Sequence, residues 1–171
     1  MERKQKPRIK LGDIFEIPLS GGRKTYGQYI FMDKNYGPIV RIFNYFTDKD
    51  AEADIDALIK VPLLFPPVIM GIHATVREGI WKVVGNRKVD DFKYPGFLHP
   101  QWDPSTGKAS KWFLWDGEKE IELGDKVPSQ YRDLEILIGY AYDLVAKRIE
   151  TGAKWGEHLI ETNYFRQDQM N

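Results

Sequence analysis

Residues 108–124 constrain the fold more tightly than any other stretch. Trp112 and Trp115 run into Asp116-Gly117, and an alternating segment, Glu120-Ile121-Glu122-Leu123, follows. An Asp-Gly pair between two strand-like runs is a strong hairpin signal, because both residues accept the positive φ of a tight turn. Neighbouring strand side chains point to opposite faces, so Trp112 and Leu114 share one face and Phe113 and Trp115 the other. A ribbon that is apolar on both faces is not stable alone in water. The rest of the chain must therefore supply elements that cover it.

The chain has the means to do so. At 171 residues, 42% of them hydrophobic and 13% aromatic, it fits one domain over residues 1–171, of a size that buries roughly 70% of its unfolded surface. Its 25 basic and 25 acidic side chains balance, so no global basic field holds nucleic acid nonspecifically. The absence of cysteine excludes a disulfide framework and a thiolate metal site, and suits a cytoplasmic protein. Residues 1–9 read as a flexible basic N-terminus, with no apolar run behind them to make a secretory signal. The longest apolar run, Val61 to Ile72, is broken by Pro62, Pro66, Pro67 and Gly71, well short of the ~20 apolar residues that a membrane helix needs.

Gly12–Leu19 and Thr25–Asp33 read as strands joined by Ser20-Gly21-Gly22-Arg23-Lys24, with Pro18 placing the first on an edge. Gly37-Pro38 opens a third strand, Ile39–Phe46, and the three form a meander. Asp48–Asp56 reads as a surface loop or short helix. Val68–Val76 and Ile80–Val84, separated by Arg77-Glu78-Gly79, read as a further hairpin. Asn86–Ser110, rich in proline, glycine and aromatics, reads as an irregular arm. Ser129 suits a helix N-cap, and Tyr131, Leu134, Ile138, Ala141, Val145 and Ile149 recur at helical spacing up to a stop at Gly152, with Gly139 marking a bend. Residues 152–171, with Trp155, Tyr164 and Phe165, form a tail that docks or frays. The predicted fold class is α+β: a mostly antiparallel, twisted and partly barrelled sheet with one long C-terminal helix packed on it.

No reaction motif emerges, and no metal or cofactor is expected. Asp48, Asp50, Glu52, Asp54 and Asp56 stand at every second position. They imitate the start of a calcium loop, but Ala53 occupies the position that needs glycine and Ile59 the position that needs a bidentate carboxylate. The stretch is therefore a solvated loop or an acidic patch facing a basic partner. His73, His99 and His158 lack ligand spacing; His73 reads as a hydrogen-bonded core residue of a strand, while His99 and Asp103 could at most supply two ligands. Ser20–Lys24 lacks the spacing and following helix of a phosphate loop, so a hairpin turn is the better reading. Tryptophans interleaved with Lys82, Arg87, Lys88, Lys93, Lys108 and Lys111 could stack bases, but without a basic field core packing is the stronger reading. No Ser-His-Asp, Cys-His or paired-carboxylate arrangement stands out.

Lys10-Leu11-Gly12-Asp13-Ile14-Phe15-Glu16-Ile17-Pro18-Leu19, Tyr26-Gly27-Gln28, Gly37-Pro38-Ile39-Val40-Arg41-Ile42-Phe43 and Trp112-Phe113-Leu114-Trp115-Asp116-Gly117 together resemble the immunity protein 26 family. Leu64-Phe65-Pro66-Pro67-Val68, Arg77-Glu78-Gly79-Ile80-Trp81-Lys82, Phe92-Lys93-Tyr94-Pro95-Gly96-Phe97 and Tyr131-Arg132-Asp133-Leu134-Glu135 support the resemblance, which spans roughly residues 10–150. It implies a bacterial immunity protein of a polymorphic toxin or contact-dependent inhibition system, a stoichiometric inhibitor and not an enzyme, whose partner is a cognate toxin domain. No family motif marks toxin-contacting residues. The expected contact surfaces are Asp48, Asp50, Glu52, Asp54 and Asp56, facing a basic nuclease-like cleft, and the aromatics of residues 92–103, chiefly Tyr94 and Trp102. Gly-Asp-Ile-Phe-Glu-Ile-Pro followed by a hairpin also resembles the opening of small SH3-like barrels, so a nucleic-acid-binding module is the alternative and a ribonuclease of that type a third reading.

Overall fold

The glycine loop at residues 20–24 does join two strands, β1 (Asp13–Pro18) and β2 (Arg23–Asp33), paired from Ile14↔Gln28 to Pro18↔Lys24. The computed structural model describes residues 6–164; of the basic N-terminus residues 1–5, and of the tail residues 165–171, lie outside the described residues. Two compact units emerge, one from the segments Met1–Phe92 and Gly139–Thr151, the other from Lys93–Ile138 and Gly152–Asn171.

In the first unit, β3 (Gly37–Ile42) continues the meander along β2. It ends four residues earlier than its apolar run, because the buried Thr25 hydroxyl donates to the carbonyls of Phe43 (3.1 Å) and Tyr45 (2.9 Å), drawing the chain out of the ladder. β4 (Thr47–Asp48) pairs with the start of β2, and β5 (Val68–Met70) lies antiparallel to β3. β6 (Lys82–Asn86) pairs with β1, and β10 (Gly139–Tyr140) runs parallel to β5. The order is β10-β5-β3-β2-β1-β6, with β4 beside β2. Its end strands do not pair with each other, so the sheet is mixed and open, not partly barrelled.

The hairpin expected over residues 68–84 is absent. After β5 the chain turns at Gly71 into α2 (Ile72–Arg77), which follows the single-turn α1 (Ile55–Leu58) in chain order. Ile72, Thr75 and Val76 are buried, whereas His73, Ala74 and Arg77 face outward, a helical period that a short apolar run conceals. Gly79, at φ 74°, occupies the left-handed position after the helix end, so the glycine taken for a hairpin turn is a helix stop. Trp81 then stacks on Phe15 with ring centroids 5.4 Å apart.

The second unit holds the Trp-Phe-Leu-Trp hairpin: β8 (Lys108–Trp115) and β9 (Glu120–Gly124), with Asp116 Oδ1 accepting the N–H groups of Glu118 and Lys119 across the turn. β7 (Phe97–Asp103) completes the three-stranded sheet in the order β7-β8-β9. Residues 97–103 of the supposed irregular arm are thus a regular strand. Pro100 is accommodated because β7 terminates this sheet, where a missing N–H costs least. Residues 87–96 are irregular, as expected.

No long C-terminal helix forms. Leu98 N–H donates to the Glu135 carbonyl (2.8 Å) and Leu137 N–H to the Leu98 carbonyl (2.7 Å), so residues 135–137 run extended along β7. Leu134, Ile136 and Ile138 also alternate, and that period prevails because it buries them against Trp112. Helix resumes only at α3 (Tyr142–Thr151), in the first unit, and at α4 (Glu157–Thr162), in the second. Leu159 and Ile160 of α4 join Leu98, Ala109, Trp112, Val127 and Ile136 in one core, so the described part of the tail docks. None of the described helices is long and apolar enough to cross a membrane.

In each unit one side-chain amide ties several segments together, buried in the first and half-buried in the second. Gln28 is fully buried in β2: its Nε2 donates to the carbonyls of Gly12 (3.1 Å) and Arg87 (2.8 Å), and its Oε1 accepts from Arg41 Nε (3.0 Å) and Nη2 (2.7 Å). Arg41 Nη1 in turn reaches both oxygens of Asp91. Asn163 ends α4 at φ 60°, accepts Trp112 Nε1–H at Oδ1 (3.0 Å) and donates Nδ2–H to the Asp125 carbonyl (2.8 Å). Gln28→Leu keeps the volume but removes four hydrogen bonds, and should cost about 3 kcal/mol or more in denaturant unfolding. Asn163→Ala should cost about 2 kcal/mol and shift Trp112 fluorescence; a loss below about 0.5 kcal/mol for either would show that its network is incidental.

Candidate functional site

The acidic segment is shaped by alternation. Asp50, Glu52, Asp54 and Asp56 are exposed, while the residues between them, Ala51, Ala53 and Ile55, are half-buried. Ala53 and Ile55 pack against a cluster of Ile14, Tyr26, Phe43 and Leu58, so an apolar seam holds the segment down and turns its carboxylates outward. At its start, Asp48 lies opposite Arg23 in the β4–β2 pairing, and Lys49 N–H donates to the Gly22 carbonyl (2.8 Å). Arg23 carries its guanidinium 4.8 Å above the Phe46 ring, and both line a cleft of about 400 Å³ with Leu19, Ser20, Ile149 and Glu150. Glu150 accepts the Ser20 N–H at 2.5 Å, and this bond holds its carboxyl below the usual range.

The five acids do not share one task. Asp54 caps α1, its Oδ1 accepting from the N–H groups of Asp56 and Ala57, each at 3.1 Å. Asp56 receives Arg87 Nη2 (2.8 Å) and Nε (3.2 Å), and the hydrogen bonds and charge of Arg87 hold its carboxyl below the ordinary aspartate range. It therefore keeps its charge at pH values where an ordinary aspartate is being protonated. Asp48, Asp50 and Glu52 are exposed and form no ion pair among the described residues. The strip thus divides into two carboxylates that anchor it and three that face solvent.

Tyr94 and Trp102 belong to the other unit. Tyr94 is half-buried, edge-on to Phe97 with centroids 5.9 Å apart, and its ring lies where a side chain on Gly117 would stand, 2.7 Å from an ideal Cβ. It supports the hairpin turn. Trp102 is the last residue but one of β7, opposite Ala109, and is 40% exposed. Trp81, Trp112 and Trp115 are buried and Trp155 half-buried, as the core-packing reading expects. Lys88 and Lys111 pair with Asp90 and Glu122.

The histidines do not converge. His99 Nδ1 bonds Glu120 Oε1 across the sheet, whereas Asp103 turns back to Ser105, whose N–H and hydroxyl hold its carboxyl below the usual range. His73 is an exposed residue of α2 with its ring edge against Tyr29, not a core residue of a strand. No group of three or more histidine, aspartate or glutamate side chains among the described residues could hold a metal ion. Sequence reasoning missed the Gln28–Arg41–Asp91 network; its signal was a glutamine and an arginine in the middle of two apolar strands.

No curated protein and no solved structure matches the chain. The sequence model of one family, described as immunity protein 26, does match, over residues 10–105. That span runs from the turn before β1 past the end of β7, taking in the Gln28 network, the whole acidic strip, Tyr94 and Trp102. The chain belongs to the immunity protein 26 family.

Proposed function

We propose that this chain neutralises a cognate bacterial toxin domain by binding it and covering its active site, as the cytoplasmic immunity partner in a polymorphic toxin or contact-dependent inhibition system. It acts stoichiometrically and not as an enzyme. The observation that carries the reading is membership of an immunity family together with three exposed carboxylates, Asp48, Asp50 and Glu52, on a segment that pairs with β2 at Asp48 and packs on the core at Ala53 and Ile55. A preformed acidic strip suits a toxin whose catalytic cleft is basic because it binds a polyanion. Such complementarity acts mainly on encounter, raising the association rate at low salt.

Trp102 provides the second contact, since a partly exposed indole at the end of a strand is the kind of anchor on which interface energy concentrates. Tyr94 contributes through the hairpin turn that it supports. A cognate toxin domain should stop bacterial growth when expressed alone and not when co-expressed with this chain, and the two should co-purify. Death in both cultures would overturn the reading for that toxin.

The strip is tested by reversing only the three solvent-facing charges, Asp48→Lys, Asp50→Lys and Glu52→Lys, leaving Asp54 and Asp56 to hold α1 and Arg87. The association rate should fall about tenfold or more at low ionic strength, and its dependence on salt should flatten. An unchanged rate in a folded variant removes the strip from the interface. Trp102→Ala should weaken the complex by more than about 1 kcal/mol, mainly through faster dissociation.

A further inference from the structure

Residues 6–9 and α2 enclose a cleft of about 540 Å³ lined by Lys6, Pro7, Arg8, Ile9, His73 and Arg77. Among the described residues its lining holds three cations and an imidazole, and no carboxylate. His73 and Arg77 stand four residues apart, on the face of α2 opposite the buried Ile72, Thr75 and Val76. Lys6 and Arg8 are brought to that face by Ile9, which is only 6% exposed, and by the Lys10 N–H, which donates to Asp13 Oδ2 at 2.8 Å. The His73 ring is set edge-on against buried Tyr29, with centroids 5.4 Å apart at 83°. Arg77 also lies 3.7 Å from Glu78, but both side chains are more than half exposed, so this pair competes weakly for the guanidinium.

Like charges gathered in one concavity repel one another and lower the free energy of an anion placed among them. The volume falls within the range of small-molecule sites, roughly 300–1,000 Å³. Guanidinium groups match phosphate oxygens through paired hydrogen bonds, an ammonium acts as a point charge, and imidazole adds a single donor. Pro7 and Ile9 give the cleft an apolar wall for the organic part of a ligand.

We propose that this cleft binds a phosphorylated small molecule of nucleotide size, with Arg8 and Arg77 on the phosphates, Lys6 as a supporting charge and His73 as a hydrogen-bond donor. The site is distinct from the acidic strip and stands or falls independently of toxin capture. A mononucleotide fits better than a polynucleotide, because the chain has no net positive charge to hold an extended polyanion.

The test titrates the full chain with ATP, pyrophosphate and a short single-stranded oligonucleotide, using calorimetry together with proton–nitrogen correlation spectra of the histidine rings. ATP or pyrophosphate should bind with a Kd of about 1 mM or tighter and move the ring resonances of His73, leaving those of His99 and His158 in place. Arg77→Glu should weaken binding at least about tenfold, and Arg77→Gln by a smaller factor, with circular dichroism unchanged. Lys126→Glu, an exposed reversal in the other unit, should have no effect. The proposal is overturned by failure of ATP and pyrophosphate to shift His73 up to about 10 mM, by equal weakening from Lys126→Glu, or by tighter binding of the oligonucleotide than of ATP.

Discussion

The buried amide of Gln28 is the interaction on which the first unit depends. A glutamine side chain offers two donors and a two-lone-pair acceptor, and here each finds a partner. Those partners come from four separate places: the turn before β1, the residue after β6, the middle of β3 and, through Arg41, Asp91. Sheet hydrogen bonds fix neighbouring strands, but they do not fix the loops at strand ends. A saturated buried polar group does, because any displacement leaves a donor or acceptor unmet in a region without water. Arg87 is held in this way at its carbonyl while its guanidinium reaches Asp56, so the network that orders the sheet also anchors the end of the acidic strip.

That link explains why the strip is a defined surface and not a run of charges. Five acids within nine residues repel one another, and an unanchored segment would spread them. Here Ala53 and Ile55 are drawn into the Ile14–Tyr26–Phe43–Leu58 cluster, Asp54 ties down α1 and Asp56 is neutralised by Arg87. Apolar burial and two internal polar contacts thus offset the repulsion of three exposed carboxylates. A segment ordered in advance loses less entropy on any association it enters.

Much of this was legible in the sequence, and the failures share a cause. The Asp116-Gly117 hairpin, the β1–β2 hairpin, the outward-facing acids and the buried tryptophans follow from side-chain period and turn chemistry, which are local. The 68–84 hairpin and the long C-terminal helix failed because a short apolar run fits two periods, whereas the irregular reading of residues 86–110 held over 87–96 and missed β7. Leu134, Ile136 and Ile138 alternate as well as Leu134, Ile138 and Ala141 step, and pairing with β7, more than thirty residues away in sequence, decided between them. In α2 the deciding fact was burial of Ile72, Thr75 and Val76, with Gly79 ending the helix. The Gln28 network was invisible for a related reason, since its members lie at residues 12, 28, 41, 87 and 91.

A net charge of zero also misleads when read as an absence of electrostatics. Fields act locally: beyond a Debye length of about 8 Å at physiological salt, one patch is largely hidden from another. A ligand approaching Asp48, Asp50 and Glu52 meets negative charge, and one approaching Lys6, Arg8 and Arg77 meets positive charge, whatever the sum over the chain. Because these groups sit on different elements, β4 with the loop after it and α2 with the segment before β1, substitutions in one leave the other's charges in place. A net charge of zero is thus compatible with local patches of either sign.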